Sequence, residues 1–268
     1  MTGNKRNNLC LQKVKNNQEG LLIGYFAAGD PNPDKSLELL TETVSAGLDI
    51  LEIGVPSANP VYDGEIIQRA HYRARLNGAP EEWLPDYMKA LRERVDVPLW
   101  AMAYHRDFIA NHWYEIFVKE GWIDGLVIPD TTDEELARLQ EKVEPSGVDV
   151  IRFINPGMKP EQLETIAKQA KIIYAQMYAG TTGDPFSTIN NAHQLLSSIS
   201  PWFQGMAVAG FGLKNADNVR EIIETGYDGA VVGSALVSKC EFQEKDGLYR
   251  LISEMKQSTL PSSKAGEA

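Results

Sequence analysis

At 268 residues, 43% hydrophobic and 24% charged, the chain has the composition of a folded globular protein long enough for a single barrel domain. Its net charge of −11 repels a polyphosphate backbone and excludes nucleic acid as an expected partner, yet leaves small anions open, because a local cradle of backbone N–H groups outweighs a distant average charge. No apolar run has the length of a membrane span, the polar start carries no signal-peptide stretch, and Cys10 and Cys240 are too few for a disulfide framework or zinc site, so a reduced cytoplasmic protein without metal or cofactor is expected.

In chain order, residues 1–17 read as an N-terminal arm or helix. Short apolar runs follow at 21–27, 50–55, 97–104, 125–129, 148–154, 171–177, 205–211 and 229–235. Most are near-continuously apolar, the pattern of parallel strands buried on both faces. Between the first two, Leu37, Leu40 and Val44 fall at helical spacing, with Asp34 and Ser36 as N-cap candidates and Gly47 as a stop. Helical patterns recur at 82–92, 108–119, 133–142, 162–169, 192–198, 218–225 and 247–256, and residues 258–268 read as a flexible tail. Strands alternating with helices predict an α/β fold, a (β/α)8 TIM barrel spanning 1–268 as one domain, with an open doubly wound sheet as the alternative.

In such a barrel, function sits where strands end and βα loops begin. The second strand contains Glu52, placed by alternation on the face of Ile50 and Gly54, toward the barrel mouth. A carboxylate among apolar residues is either bonded to a neighbouring strand as a structural group or put to chemical use. Eleven positions later comes Asp63-Gly64, a turn element when taken alone; two carboxylates of unlike exposure at one mouth divide acid and base roles. Gly180-Thr181-Thr182-Gly183, Gly210-Phe211-Gly212 and Gly233-Ser234 follow the last three strands, where backbone N–H groups cradle a phosphate in this fold. His71, His105, His112 and His193 show no metal-triad spacing, and no lysine lies at a Schiff-base position within a strand. Carbon–carbon cleavage at this mouth is therefore expected to be acid–base work.

The segments Ala28-Gly29-Asp30-Pro31, Leu51-Glu52-Ile53-Gly54-Val55-Pro56, Asp63-Gly64, Val127-Ile128-Pro129-Asp130, Thr182-Gly183, Gly210-Phe211-Gly212 and Gly233-Ser234-Ala235 resemble the tryptophan synthase α subunit in order and spacing. The resemblance implies retro-aldol cleavage of indole-3-glycerol phosphate to indole and glyceraldehyde 3-phosphate. It implies Glu52 as the proton-shuttling glutamate and Asp63 as the acceptor for the indole N–H. Thr182 matches the threonine of a closing loop and Tyr174 a tyrosine near the glutamate. Tyr25, Met102 and Tyr104 are implied to line the indole slot, and Gly183, Phe211, Gly212, Gly233 and Ser234 to bind phosphate. The pattern departs at Ser57-Ala58-Asn59, where Asn59 replaces an aspartate that contacts the β subunit, and at Arg106-Asp107, where the family has Asn-Pro. Tyr178 and the charge of Arg152 within the fifth strand are further departures. Because two of the departures fall on β-facing loops, a lyase that stands alone or couples differently to a β-type subunit is expected. A lyase on another phosphorylated substrate and a regulatory subunit binding a β-type partner are the alternatives.

Overall fold

The computed structural model describes residues 3–177, 185–210, 212–242 and 244–261. Eight strands, β1 (Leu21–Ala27), β2 (Ile50–Gly54), β3 (Leu99–Met102), β4 (Gly125–Val127), β5 (Asp149–Ile154), β6 (Ile172–Gln176), β7 (Met206–Gly210) and β8 (Gly229–Val232), pair in parallel in chain order, and β8 returns to β1. The open-sheet alternative is thereby set aside. Side-chain alternation sorts each strand into two faces. Leu21, Ile23, Tyr25, Ile50, Trp100, Met102, Ile151, Tyr174 and Val208 fill the lumen. Residues of opposite parity, such as Leu22, Leu51, Ala101 and Ile173, pack outward against the helices.

The helices are α1 (Gly3–Asn17), α2 (Pro33–Ala46), α3 (Glu65–Arg75), α4 (Pro80–Arg94), α5 (Tyr114–Lys119), α6 (Asp133–Val143), α7 (Pro160–Gln169), α8 (Pro185–Ile199), α9 (Ala216–Glu224), α10 (Ser234–Glu241) and α11 (Lys245–Gln257). None among the described residues is long and apolar enough to cross a membrane. Three of them depart from the sequence pattern. The short helix α3 follows β2 without a clear apolar repeat. Helix α10 begins at Ser234, inside the run expected to be strand, because Gly233 turns the chain and its carbonyl accepts the Leu236 and Val237 N–H groups. The expected helix over 108–119 is divided: a wide turn at His105–Ile109 precedes α5, and Phe108 packs edge-on against Trp113 and Phe117. At α2 the cap is Asn32, which accepts the Lys35 N–H at 3.0 Å, rather than Asp34 or Ser36. Ser36 is instead buried, 2.8 Å from the Tyr87 hydroxyl.

The floor of the barrel, at the N-terminal ends of the strands, carries a set of carboxylates. Asp49 accepts the Leu22 N–H and pairs with Lys13 and Lys256; Asp124 accepts the Leu99 N–H and pairs with Arg6 and Arg92. Helix α1 closes this floor through Asn7, which is buried. Its amide donates to the Asp124 carbonyl at 2.9 Å and to Asp149 Oδ2 at 2.8 Å, and its oxygen accepts the Trp100 indole N–H at 3.0 Å. The far end of the chain meets the same region, where Thr259 is buried and its carbonyl accepts the Gly20 N–H at 2.9 Å. Packing thus extends past the 258 boundary at which the sequence suggested a loose tail.

Removing the Asn7 side chain leaves an indole N–H, a carbonyl and a carboxylate buried with a partner lost, at a cost of about 2 kcal/mol. Asn7→Ala is expected to lower Tm by about 5 °C in scanning calorimetry. An unchanged Tm would show that α1 contributes through other contacts.

Candidate active site

Parallel register builds the mouth from neighbouring strands. Glu52 is the Cα partner of Tyr25 on β1 and of Trp100 on β3, so its side chain enters the lumen between two aromatic rings. It is 4% exposed. Burial, and then the charge of Asp63, push its carboxyl group up to about 8 from the ordinary 4.5. Among the described residues no hydrogen bond holds this carboxyl group. A structural carboxylate would be bonded, so the geometry favours the chemical reading of Glu52 over the structural one.

Asp63 sits in the loop between β2 and α3, in a turn in which its N–H donates to the Pro60 carbonyl at 3.2 Å. Its Oδ2 accepts the Tyr104 hydroxyl at 2.7 Å, and that hydroxyl oxygen accepts the Tyr62 N–H at 3.1 Å. The Tyr62 ring stacks on Tyr104 with centroids 6.3 Å apart. The structure therefore brings Asp63 and Tyr104 together directly.

Tyr25, Tyr104 and Tyr174 are all held well above the ordinary phenol range, so they are hydroxyl donors at neutral pH. Burial is the first cause in each; Asp63 comes next for Tyr25 and Tyr104, and Glu52 for Tyr174. Tyr174 lies against Phe153 with ring centroids 5.3 Å apart. Two glycines make room for these rings. A methyl group on Gly54 would collide with the Tyr25 hydroxyl, and one on Gly210 would lie 2.5 Å from that of Tyr174. Met102 ends β3 in register with Gly54 and Val127 and is 7% exposed. The expected slot residues Tyr25, Met102, Tyr104 and Tyr174 thus all line the same lumen as Glu52.

At the ends of the last two described strands, Gly212 turns the chain after β7 with φ 84°, and Gly233 and Ser234 open α10 after β8, beside Tyr25. A helix N-terminus at that place directs N–H groups and a positive dipole end at an anion. Thr182, Gly183 and Phe211, together with Tyr178, Gly180 and Thr181, lie outside the described residues.

The departing residues occupy defined places. The Ser57 hydroxyl donates to Asp107 Oδ2 at 2.5 Å and accepts the Asn59 N–H at 3.0 Å, joining the loops after β2 and β3. Arg152 takes the outward face of β5 and reaches Asp133, at the start of α6, at 2.9 Å. One residue at the mouth escaped the sequence reading: His71 on α3 is wholly buried, with Nε2 3.0 Å from the Tyr25 hydroxyl and 3.4 Å from Asp63 Oδ2. His71 shares the inward face of α3 with Ala70 and Ala74, a stripe too small and polar to give the sequence an apolar repeat.

A closed (β/α)8 barrel with a buried acid in its lumen, a second carboxylate at the same mouth and a helix N-terminus beside them has the plan of a small-molecule acid–base barrel enzyme. Relatives narrow the class. The family model for the tryptophan synthase alpha chain matches residues 11–262. The chain is 31% identical over 242 residues to the tryptophan synthase alpha chain of Petrotoga mobilis, covering 89% of this chain and 93% of that one. It is 34% identical over 229 residues to that of Methanosarcina mazei, covering 84% and 83%. Among solved structures, a chain from Aquifex aeolicus VF5 superposes with a TM-score of 0.86 at 26% identity, covering 96% of this chain and 99% of that one. A chain of the tryptophan synthase α2β2 complex from Pyrococcus furiosus superposes with a TM-score of 0.78 at 25% identity, covering 88% and 98%. The protein belongs to the tryptophan synthase alpha chain family.

The upward shift of the Glu52 carboxyl group has a stability consequence. Below pH 4.5 the folded and unfolded chains both hold this proton; between 4.5 and about 8 only the folded chain does, so stability falls as pH rises and the penalty is complete above 8. Glu52→Gln is therefore expected to raise Tm relative to the unmutated protein at pH 9 and to leave it unchanged at pH 4. Equal differences at the two pH values would contradict the burial of an ionisable acid.

Proposed function

We propose that the protein is a carbon–carbon lyase that cleaves indole-3-glycerol phosphate to indole and glyceraldehyde 3-phosphate, with Glu52 and Asp63 as its catalytic residues. The observation that carries this reading is the unlike setting of two carboxyl groups at one mouth: Glu52 is buried in the lumen without a hydrogen bond among the described residues, which pushes its carboxyl group up to about 8, while Asp63 Oδ2 accepts the Tyr104 hydroxyl at 2.7 Å. Asp63 accepts the indole N–H and stabilises the positive charge that develops on the ring as C3 gains a proton. The buried Glu52 supplies that proton. Its carboxylate, now the base, removes the proton of the hydroxyl on the carbon attached to C3. The C3–carbon bond then breaks, its electron pair returns to the ring, and the hydroxyl-bearing carbon leaves as an aldehyde. Glu52 ends the cycle protonated, as it began.

Tyr25, Met102, Tyr104 and Tyr174 line the slot for the indole ring, and the family resemblance adds Thr182 as a substrate-binding residue. Gly183, Phe211, Gly212, Gly233 and Ser234 hold the phosphate. Because the acid form of Glu52 starts the reaction, kcat/KM is expected to fall as pH rises through about 8. Glu52→Gln is expected to lower kcat about 10²–10⁴-fold, and Asp63→Asn about 10²–10³-fold. Indole release from purified protein measures all three. Full activity in Glu52→Gln would overturn the mechanism.

The family points to a β-type subunit as the partner, and we propose that coupling to it is altered. Two observations support this: the family's β-contacting aspartate is Asn59, and Asp107 on the facing loop is already bonded to Ser57. The isolated protein is then expected to turn over within about tenfold of its rate with a β subunit present, where one tenfold step corresponds to 1.36 kcal/mol of barrier. A rate rising by orders of magnitude only on addition of a β subunit would refute it. An alkyl- or aryl-glycerol phosphate cleaved faster than the indolyl compound would favour a different substrate for the same site.

A further inference from the structure

His71 joins a chain of hydrogen bonds that the catalytic steps do not use. The Ser57 main-chain N–H donates to its Nδ1 at 3.1 Å. A main-chain N–H cannot accept, so Nδ1 carries a lone pair and the imidazole proton sits on Nε2. That N–H faces the Tyr25 hydroxyl oxygen at 3.0 Å, with Asp63 Oδ2 at 3.4 Å. Ser57 is itself pinned, 2% exposed, by its 2.5 Å hydrogen bond to Asp107. One continuous path therefore runs from the loop after β3, through the loop after β2 and helix α3, to a tyrosine of β1 and to the carboxylate of Asp63.

We propose that His71 is a positioning residue, held in its Nε2–H form by Ser57, that orients Tyr25 and Asp63 from within the fold and, with the Ser57–Asp107 bond, keeps the mouth assembled in the isolated chain. This rests on the lyase reading of Asp63. A buried histidine that merely fills space would fit the 0% exposure as well, but would place no requirement on which ring nitrogen is protonated or on what the other faces. Here each nitrogen has a distinct polar neighbour, and the proton location follows from one of them.

Two amide variants separate the roles. His71→Asn retains an oxygen for the Ser57 N–H but withdraws the donor from Tyr25 and Asp63. His71→Gln carries an amide N–H out to the Nε2 position. In the isolated protein, His71→Asn is expected to lower kcat for indole-3-glycerol phosphate about 10–100-fold, the scale of a small misplacement of a catalytic group. KM is expected to stay within about threefold, and His71→Gln to recover most of the loss. Unchanged kcat in His71→Asn, or equal losses in the two variants, would overturn the proposal.

Nuclear magnetic resonance of the unmutated protein labelled with 15N-histidine tests the same point without substrate. The expected spectrum is that of a neutral ring protonated on Nε2, with that resonance shifting in Asp63→Asn. A proton on Nδ1, or no response to Asp63→Asn, would overturn the proposal even if the lyase assay succeeds. A protein that shows the expected spectrum and its response but cleaves no indole-3-glycerol phosphate would retain the His71 assignment and lose the functional reading.

Discussion

A carboxylic acid enclosed by strand side chains holds its proton well beyond the ordinary range, and in this barrel that condition follows from register. Glu52 is set between Tyr25 and Trp100 by the pairing of β2 with both neighbours. A slip of one residue in either pairing would turn it outward, among the residues packed against the helices. Closure of the barrel removes sheet edges and allows a lumen dry enough to raise the acid to about 8. Glycines at 54 and 210 belong to the same constraint, since each leaves the volume that a tyrosine ring occupies beside the acid. The mouth is therefore a packed arrangement in which the reacting groups take space withheld from other side chains.

The two acids differ because their supports differ. Glu52 comes from a strand, where backbone geometry is fixed on both sides. Asp63 comes from a loop, which on its own is a less exact mounting, and the structure compensates with side-chain bonds. Tyr104 reaches it from the loop after β3, His71 from α3, and Gln68 donates to its main-chain carbonyl at 2.7 Å. The loops where this chain departs from the family pattern are the ones tied together by Ser57 and Asp107. Within the two loops that the resemblance turns toward a second subunit, Ser57 and Asp107 bond to each other while Asn59 and Arg106 stay exposed.

What was legible in the sequence divides along the range of the interactions involved. Strands were readable because burial on both faces demands continuous apolar runs, and Glu52 stood out as an acid inside one. The eight-fold alternation carried the barrel. Helix α3 was not readable, because its buried stripe is built from Ala70, His71 and Ala74, small or polar residues that give little apolar periodicity. Helix α10 was hidden because Ser234-Ala235-Leu236-Val237 extends the apolar run of β8, and only the backbone turn at Gly233 separates them. Asp63 and Tyr104 were each picked out, but their hydrogen bond joins residues 41 apart, which no local pattern encodes. Arg152 was unplaceable for a similar reason: its partner, Asp133, lies on the helix before its own strand.

Asn7 ties the first helix to groups on β3, β5 and the residue before β4, and the nearest of these lies 93 positions further along the chain. During synthesis, then, α1 emerges long before the surface it covers exists. The floor cannot close until the fifth strand is in place, and the Gly20–Thr259 bond joins residues 239 positions apart. Helix α1 thus acts as a stopper for the barrel floor, its one buried amide seated on three separate strand ends at once.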